Sequence, residues 1–437
     1  MTRKMDDGTL ARVDALRIIR DWMETEEFPD RNMAGVPPFR RGFVMDLVYT
    51  TLRHARALDF ATAPFIRSEP QAHAMPAVLI GACQLLKMDG NVAEHAAIHA
   101  TVEALKSLDG EWAAKFVNAV LRNVQRQKSE LLARLAAAPL AVRESHPDEQ
   151  VERWTRRFGA ERAAAICEWD NMPASVTVVT VPRGPNVKQV LKIFAQVGVD
   201  ATAHPGFPDE AVNIPHGSKV EDLPGFEQGA FAIQDPATLA AVKLLDVKPG
   251  MRVLDACAAP GGKTVQAALR LNGKGGVVAM DCWRDRLPPL EENVARFGLR
   301  HVVEIEVGDA KRVSLRDFGN KSFDRILLDV PCSNTGVQRR RADSRWRFSA
   351  ERLGVLAETQ SAILENAAEL LAPGGKIVYS TCSLEEEENE GVVAGFLLRR
   401  KNFKKENEWV NVPPDRECDG AYAAALARQD FQIKGNK

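Results

Sequence analysis

The sequence predicts three parts. Residues 1–138 form an all-α domain, 139–235 a small α/β connecting domain, and 236–437 an α/β domain built on a parallel, doubly wound sheet. Three observations lead there. Apolar residues recur with helical period through the first third, prolines crowd the second segment, and strand-like and helix-like runs alternate after residue 236. A chain of 437 residues is also too long for one ordinary core.

In the first part, Val44, Leu47, Val48 and Leu52 share one helical face. Pro76 suits the first turn of a helix carrying Val78, Leu79, Ala82, Leu85 and Leu86, with Gly90 beyond its end. Val92, Ala96, His99, Val102 and Leu105 repeat the period up to Gly110, and Trp112, Phe116, Val117, Val120, Leu121 and Val124 make a further stripe. Four or five such helices with short breaks predict a compact bundle whose stripes are core. In the connecting segment, a helical piece over 149–168 precedes a β-like run over 175–181. In the third part, strands are expected at 252–255, 277–281, 302–307, 325–329 and 376–381, with helices between them.

Composition narrows the function classes. No run of eighteen apolar residues exists, and the charged start lacks an apolar stretch, so neither a membrane span nor a secretory signal is expected. The seven cysteines include no Cys-x-x-Cys pair, which argues against a disulfide framework and a structural zinc site. The expected setting is reducing cytoplasm, with no metal, no membrane contact and a monomeric chain. A net charge of -1 lends no support to nucleic-acid binding, so any such surface must be local.

In an open α/β sheet, ligands bind beyond the carboxyl ends of the strands near the switch in strand order. Asp255, Asp281, Asp309 and Asp329 all fall at or just past expected strand ends. One such Asp is usually a turn residue, but four in register are hard to explain that way. Asp255 opens the run Ala256, Cys257, Ala258, Ala259, Pro260, Gly261, Gly262, Lys263, Thr264, whose small residues let backbone approach a ligand and whose following helix offers free N–H groups. This loop is neither a G-x-G-x-x-G turn nor a P-loop. Asp281 is placed to accept from ribose hydroxyls. Cys332 and Cys382 follow the fourth and fifth strands. If those strands are neighbours, about 4.8 Å apart, the two thiols face one pocket. A buried inert cysteine is the common alternative.

Three runs together resemble the signature motifs of RNA 5-methylcytosine methyltransferases: Asp255-Ala-Cys-Ala-Ala-Pro-Gly-Gly-Lys-Thr264, Asp329-Val-Pro-Cys-Ser-Asn-Thr-Gly336 and Ser380-Thr-Cys-Ser383. Asp419-Gly420-Ala-Tyr422 resembles the final motif of that family. Asp46-Leu-Val-Tyr-Thr-Thr-Leu-Arg53, Gly81-Ala-Cys-Gln-Leu-Leu86 and Phe116-Val-Asn-Ala-Val-Leu-Arg122 are similar to a NusB-like RNA-binding domain. The combination is that of the bacterial Sun/Fmu-type methyltransferases of small-subunit (16S) ribosomal RNA. The resemblance implies a Rossmann-like methyltransferase domain, S-adenosylmethionine as cofactor, and RNA or an assembling small subunit as partner. It implies that residues 257–263 hold the methionine part of the cofactor, Asp281 the ribose and Asp309 the adenine edge. Asp329 would serve cofactor and base together. Cys382 would attack carbon 6 of cytosine as a thiolate, and Cys332 would assist its release. The chain departs from the pattern at 177–182, without an Arg-Val-Asn, and at 339–343, without a His-Pro before Asp343.

Arg339, Arg340, Arg341, Arg345 and Arg347 surround Trp346 and read as a phosphate-contacting patch with a stacking ring, the alternative being a solvated helix start. The acidic run 385–388 reads as first-turn residues favoured by a helix dipole. The eight histidines are expected in core or surface roles. Two rival functions are a methyltransferase of DNA or tRNA cytosine and a non-catalytic, antitermination-like RNA-binding factor. The first would put the DNA nucleophile in the Pro-Cys motif, and the second would not need two cysteines at strand ends.

Overall fold

The computed structural model describes residues 5–25, 29–67, 74–88, 90, 92–215 and 217–429. The chain divides into two compact units, Met1–Met172 with Arg340–Phe348, and Pro173–Arg339 with Ser349–Lys437.

The first unit is helical. Asp6 accepts the Thr9 N–H at 2.7 Å and so caps the opening helix, Asp7–Thr25. The expected stripes fall on helices Pro38–Arg53, Ala74–Leu86, Glu94–Asp109 and Glu111–Arg126, with exceptions. Val92 precedes its helix, Ala96, His99 and Trp112 are exposed, and Glu94–Asp109 buries Ala97, Ile98, Thr101 and Ala104 beside Leu105. Ala74–Leu86 is buried nearly all round, as a central helix must be. A Cβ on Gly81 would stand 2.3 Å from Leu121 Cδ1, so a larger residue there would force the Leu121 side chain to move. A polar cluster is built into this core: Gln84, 2% exposed, accepts from buried Arg12 Nε at 2.9 Å and donates to buried Thr101 Oγ1 at 3.1 Å. Burying these groups costs little because each is paired.

Residues 139–172, expected in the connecting segment, belong to this unit. They form helices Leu140–Arg143, Asp148–Phe158 and Ala160–Asn171, the last two separated at Gly159. Arg56 ties them to the bundle: its N–H donates to Ser145 Oγ at 2.9 Å and its guanidinium to the His146 carbonyl at 2.7 Å. His146 is itself fully buried against Asp170, 3.4 Å away, and burial pushes its pKa well below the usual range.

The segment Arg340–Phe348 corrects the expectation of a phosphate-facing patch. Arg345 is 0% exposed and donates to the carbonyls of Arg53 (2.8 Å), Ser145 (3.1 Å) and Asp170 (3.3 Å) and to Asn171 Oδ1 (3.0 Å). Half-buried Trp346 donates from Nε1 to the Leu52 carbonyl at 2.8 Å, and Arg347 pairs with buried Asp343 at 3.1 Å. Arg53 and Asn171 close their helices, where carbonyls lack intrahelical partners and the helix dipole favours a cation. Burial pulls Arg345 down to about 10, so it stays charged at neutral pH. Arg339, in the second unit, is also buried and donates to the Pro173 carbonyl at 2.7 Å. Arg340 is half-buried, and Arg341 is exposed, 3.6 Å from Asp30.

The second unit holds two sheets. Strands β1 (Val176–Thr180), β2 (Thr202–Ala203), β3 (Ala211–Ile214) and β4 (Phe231–Ile233) form a small antiparallel sheet in the order β2-β3-β1-β4. The larger sheet contains the five expected strands, β5 (Arg252–Asp255), β6 (Gly276–Asp281), β7 (Val303–Val307), β8 (Phe323–Asp329) and β9 (Leu371–Thr381), all mutually parallel. It adds two antiparallel strands, β10 (Phe403–Asn411) and β11 (Ala421–Arg428), giving the order β10-β11-β9-β8-β5-β6-β7. Strand order reverses between β5 and β8, and Asp255 and Asp329 end those two strands. Among the described residues, no helix is long and apolar enough to cross a membrane.

Candidate active site

The site grows from three strand ends in the second unit. The loop after β5, residues 257–263, runs into helix Gly262–Arg270, with Gly261 at φ 103 as its cap. Thr264, on the first turn, donates to Asp255 Oδ2 at 2.6 Å. Asp255 is 1% exposed, and its Oδ1 has no hydrogen-bond partner. Burial pushes its pKa up to about 7; the Thr264 bond opposes this and the charge of Asp329 adds to it. Lys263 reaches back over the loop to Asp329 Oδ2 at 2.6 Å, and Ser380 donates to Asp329 Oδ1 at 3.0 Å. Burial works to lower the Lys263 pKa, but the charge and hydrogen bond of Asp329 together with the charges of Cys382 and Asp255 outweigh it, and the net shift is upward.

A cavity of about 280 Å³ opens beside this loop. It is lined by Asp255, Cys257, Ala258, Ala259, Pro260, Gly262, Lys263 and Asp329, and on its other side by Gln234, Asn293, Arg296 and Phe297. Asp281 and Asp309 do not line it. Asp281 ends β6 at 2% exposure, accepting the N–H groups of Ala259 (3.3 Å) and Trp283 (3.2 Å), with Arg286 at 3.4 Å. It is a buried carboxylate that clamps the loop through the Ala259 N–H. Asp309, two residues past β7, accepts the Lys311 N–H at 3.0 Å.

Strands β8 and β9 are adjacent, with Asp329 opposite Ser380. Past their ends, the sulfurs of Cys332 and Cys382 stand 3.2 Å apart. Contact with Cys382 first, and burial second, hold the Cys332 thiol well above its usual range, so Cys332 keeps its proton. Asn334, in the left-handed region at φ 60, donates from Nδ2 to the Cys332 carbonyl (3.2 Å) and accepts from the Cys382 thiol at Oδ1 (3.1 Å). Gly336 joins the remaining motifs: its N–H donates to the Cys382 carbonyl at 2.9 Å, and its carbonyl accepts the Gly420 N–H at 2.7 Å. A Cβ on Gly336 would lie 2.6 Å from the Gly420 oxygen.

Sequence reasoning missed four groups that this arrangement uses. Lys263 was read only as part of the loop 257–263, and Asn334 and Gln360, which donates to the Pro331 carbonyl at 2.9 Å, carried no signal of their own. Glu388 was read as a helix-dipole residue, but the helix begins at Glu390, and Glu388 is 0% exposed against the loop of Cys332.

The comparisons with known proteins follow this geometry. The family model described as 16S rRNA methyltransferase RsmB/F matches residues 242–426, and the NusB family model matches residues 9–126. The probable ribosomal RNA small subunit methyltransferase B of Bacillus subtilis (strain 168) is 32% identical over 391 residues, covering 89% of this chain and 85% of that protein. The chain belongs to the ribosomal RNA small subunit methyltransferase B family. The family member of Pseudomonas syringae pv. tomato (strain ATCC BAA-871 / DC3000) is 35% identical over 370 residues, 84% of this chain and 80% of its own. Among solved structures, that titled "Crystal Structure of PH0851" shares the fold, with a TM-score of 0.79 at 21% identity over 97% of this chain and 100% of that one. Methyltransferase B enzymes are S-adenosylmethionine-dependent RNA methyltransferases with a NusB-like domain and a Rossmann-like one. The cavity fits that cofactor: Asp255 Oδ1 is a buried acceptor without a donor, suited to an ammonium group, beside a loop of small residues that admits close approach.

Proposed function

We infer that this chain methylates carbon 5 of a cytidine in small-subunit ribosomal RNA, with Cys382 as covalent nucleophile. One observation carries the reading: two thiols 3.2 Å apart past adjacent parallel strands, beside the Lys263–Asp329 pair. S-adenosylmethionine, when bound, supplies a methyl carbon bearing a good leaving group. Residues 257–263 and Asp255 would hold its amino-acid end, with Asp281 and Asp309 on the nucleoside side. The Cys382 thiol first gives up its proton to solvent. The thiolate adds to carbon 6, and the electron pair moves to carbon 5, which then takes the methyl group as the sulfur leaving group departs from that methyl carbon. Loss of the carbon 5 proton to a base restores the ring double bond and expels the Cys382 thiolate. Asp329, held by Lys263 and Ser380, would orient the polar edge of the base. Cys332, next to the departing sulfur, would assist release. The base must leave its stack to reach these groups. The helical unit would supply RNA affinity, with exposed Arg341 and half-buried Arg340 as remaining candidates for phosphate contact. The reaction belongs in reducing cytoplasm, where both thiols persist.

The cysteine mutants differ in kind. Cys332→Ala, incubated with ribosomal RNA and cofactor, should accumulate a protein–RNA band on a denaturing gel. Cys382→Ala should give none, and the double mutant should lose the band. A band from Cys382→Ala alone would reverse the two roles. Bisulfite sequencing of RNA from cells with and without the gene should locate the protected cytidine, and an unchanged pattern would remove the cytosine-5 reading.

A further inference from the structure

Glu388 is a carboxylate the reaction does not call for, sealed inside the unit that carries it. Its Oε1 accepts the Ser333 N–H at 2.9 Å and Gln360 Nε2 at 2.9 Å, and its Oε2 accepts the Ser333 hydroxyl. Gln360 Nε2 also donates to the Pro331 carbonyl at 2.9 Å. The residues on both sides of Cys332 are thus held by one Glu–Gln pair. Tyr379, buried on β9, braces that pair by donating to Gln360 Oε1 at 3.1 Å and to the Glu388 carbonyl. The groups meeting the carboxylate are donors, which is what an ionised carboxylate needs when buried. Burial raises the Glu388 pKa, and the bonds from Ser333, Ser383 and Gln360 work against that rise.

We propose that Glu388 is a positioning residue for Cys332: through Ser333 and Gln360 it fixes the loop so that the Cys332 sulfur stays beside that of Cys382. The proposal rests on the reading that Cys332 serves release. Loss of the clamp frees both residues flanking Cys332 but, on the Cys382 side, only the Ser383 hydroxyl. Cys332 should therefore drift while Cys382, still bonded to Asn334 at the end of β9, remains able to attack.

The test uses the full chain, ribosomal RNA transcribed in vitro and S-adenosylmethionine. Glu388→Ala should behave like a weakened Cys332→Ala. Methyl transfer in the first turnover should stay within about threefold of wild type. Steady-state turnover should fall at least tenfold, and a covalent protein–RNA band should build up. Glu388→Gln keeps an acceptor for the Ser333 N–H, so it should restore most of the turnover and clear the band. Gln360→Ala, which frees Pro331, should trap the adduct as well and decides the matter if Glu388→Ala does not fold. Folded variants without a band, alongside a Cys332→Ala that shows one, would overturn the proposal. So would loss of first-turnover transfer together with the band, which would place Glu388 in attack instead of release. If Cys332→Ala itself traps nothing, the reading of Cys332 falls and this proposal falls with it.

Discussion

Asp255 lines the cavity with one oxygen spent on Thr264 and the other buried without a hydrogen-bond partner, and a pKa pushed up to about 7 makes its charge conditional near neutrality. An ammonium group is held by the ionised form. Below about pH 7 a proton must leave before the cofactor binds, so affinity for S-adenosylmethionine should fall about tenfold per pH unit. Isothermal titration at pH 5.5 and 6.5 should show that slope in wild type and lose it in Asp255→Asn. Equal affinities in wild type would exclude Asp255 from the cofactor site. Stability responds with a definite sign as well. The folded chain binds this proton more tightly than the unfolded one, so stability falls as pH rises from about 4 to about 7 and then levels. Urea unfolding of Asp255→Asn across that window should show a shallower decline.

Between elements, close backbone approach decides what can change. Gly81→Ala drives a methyl into Leu121 and should cost about 1–3 kcal/mol of stability, read as a lower urea midpoint. Gly336→Ala meets backbone on both sides, at Gly420 and Cys382, so the loops must part. A lower melting temperature and methylation reduced at least tenfold are expected, and full activity would show that the three loops need not touch. The same scale shows what the sequence could and could not disclose. Strands β5, β6 and β8 end at the aspartates that were expected to end them, because buried parallel strands read as apolar runs broken by a polar residue. β10 was invisible because an edge strand tolerates its Lys, Glu and Asn residues, and β11 because its alanines carry little strand preference. Arg345 and Glu388 were misread for one shared reason. A charge in a run looks solvated until its acceptors or donors are known, and here those are backbone groups and amides distant in sequence. Cys332 and Cys382 were legible as a pair because adjacent parallel strands bring equivalent ends together.

At the scale of the whole molecule, the chain passes between its two units after Met172, Arg339 and Phe348. The passage Arg340–Phe348 is held by carbonyls of the first unit, so a chain starting at Pro173 deprives Arg345 of every acceptor described above. Limited trypsin digestion should cut such a chain within 340–348 while the full chain resists there, and equal protection would mean that the segment finds other partners. A different consequence follows from β11. Among the described residues it is the last strand of the sheet in chain order, yet it lies inside the sheet, paired with β9 on one side and β10 on the other. Gly420, just before it, supplies the N–H that locks Gly336 against the Cys382 loop. A ribosome that has delivered everything up to residue 419 has therefore made both thiols but left β9 with an open edge. Chains cut short by a broken message should be inert and prone to pair through that edge. Completion of the nucleophile's surroundings thus waits for a strand that is made after both thiols.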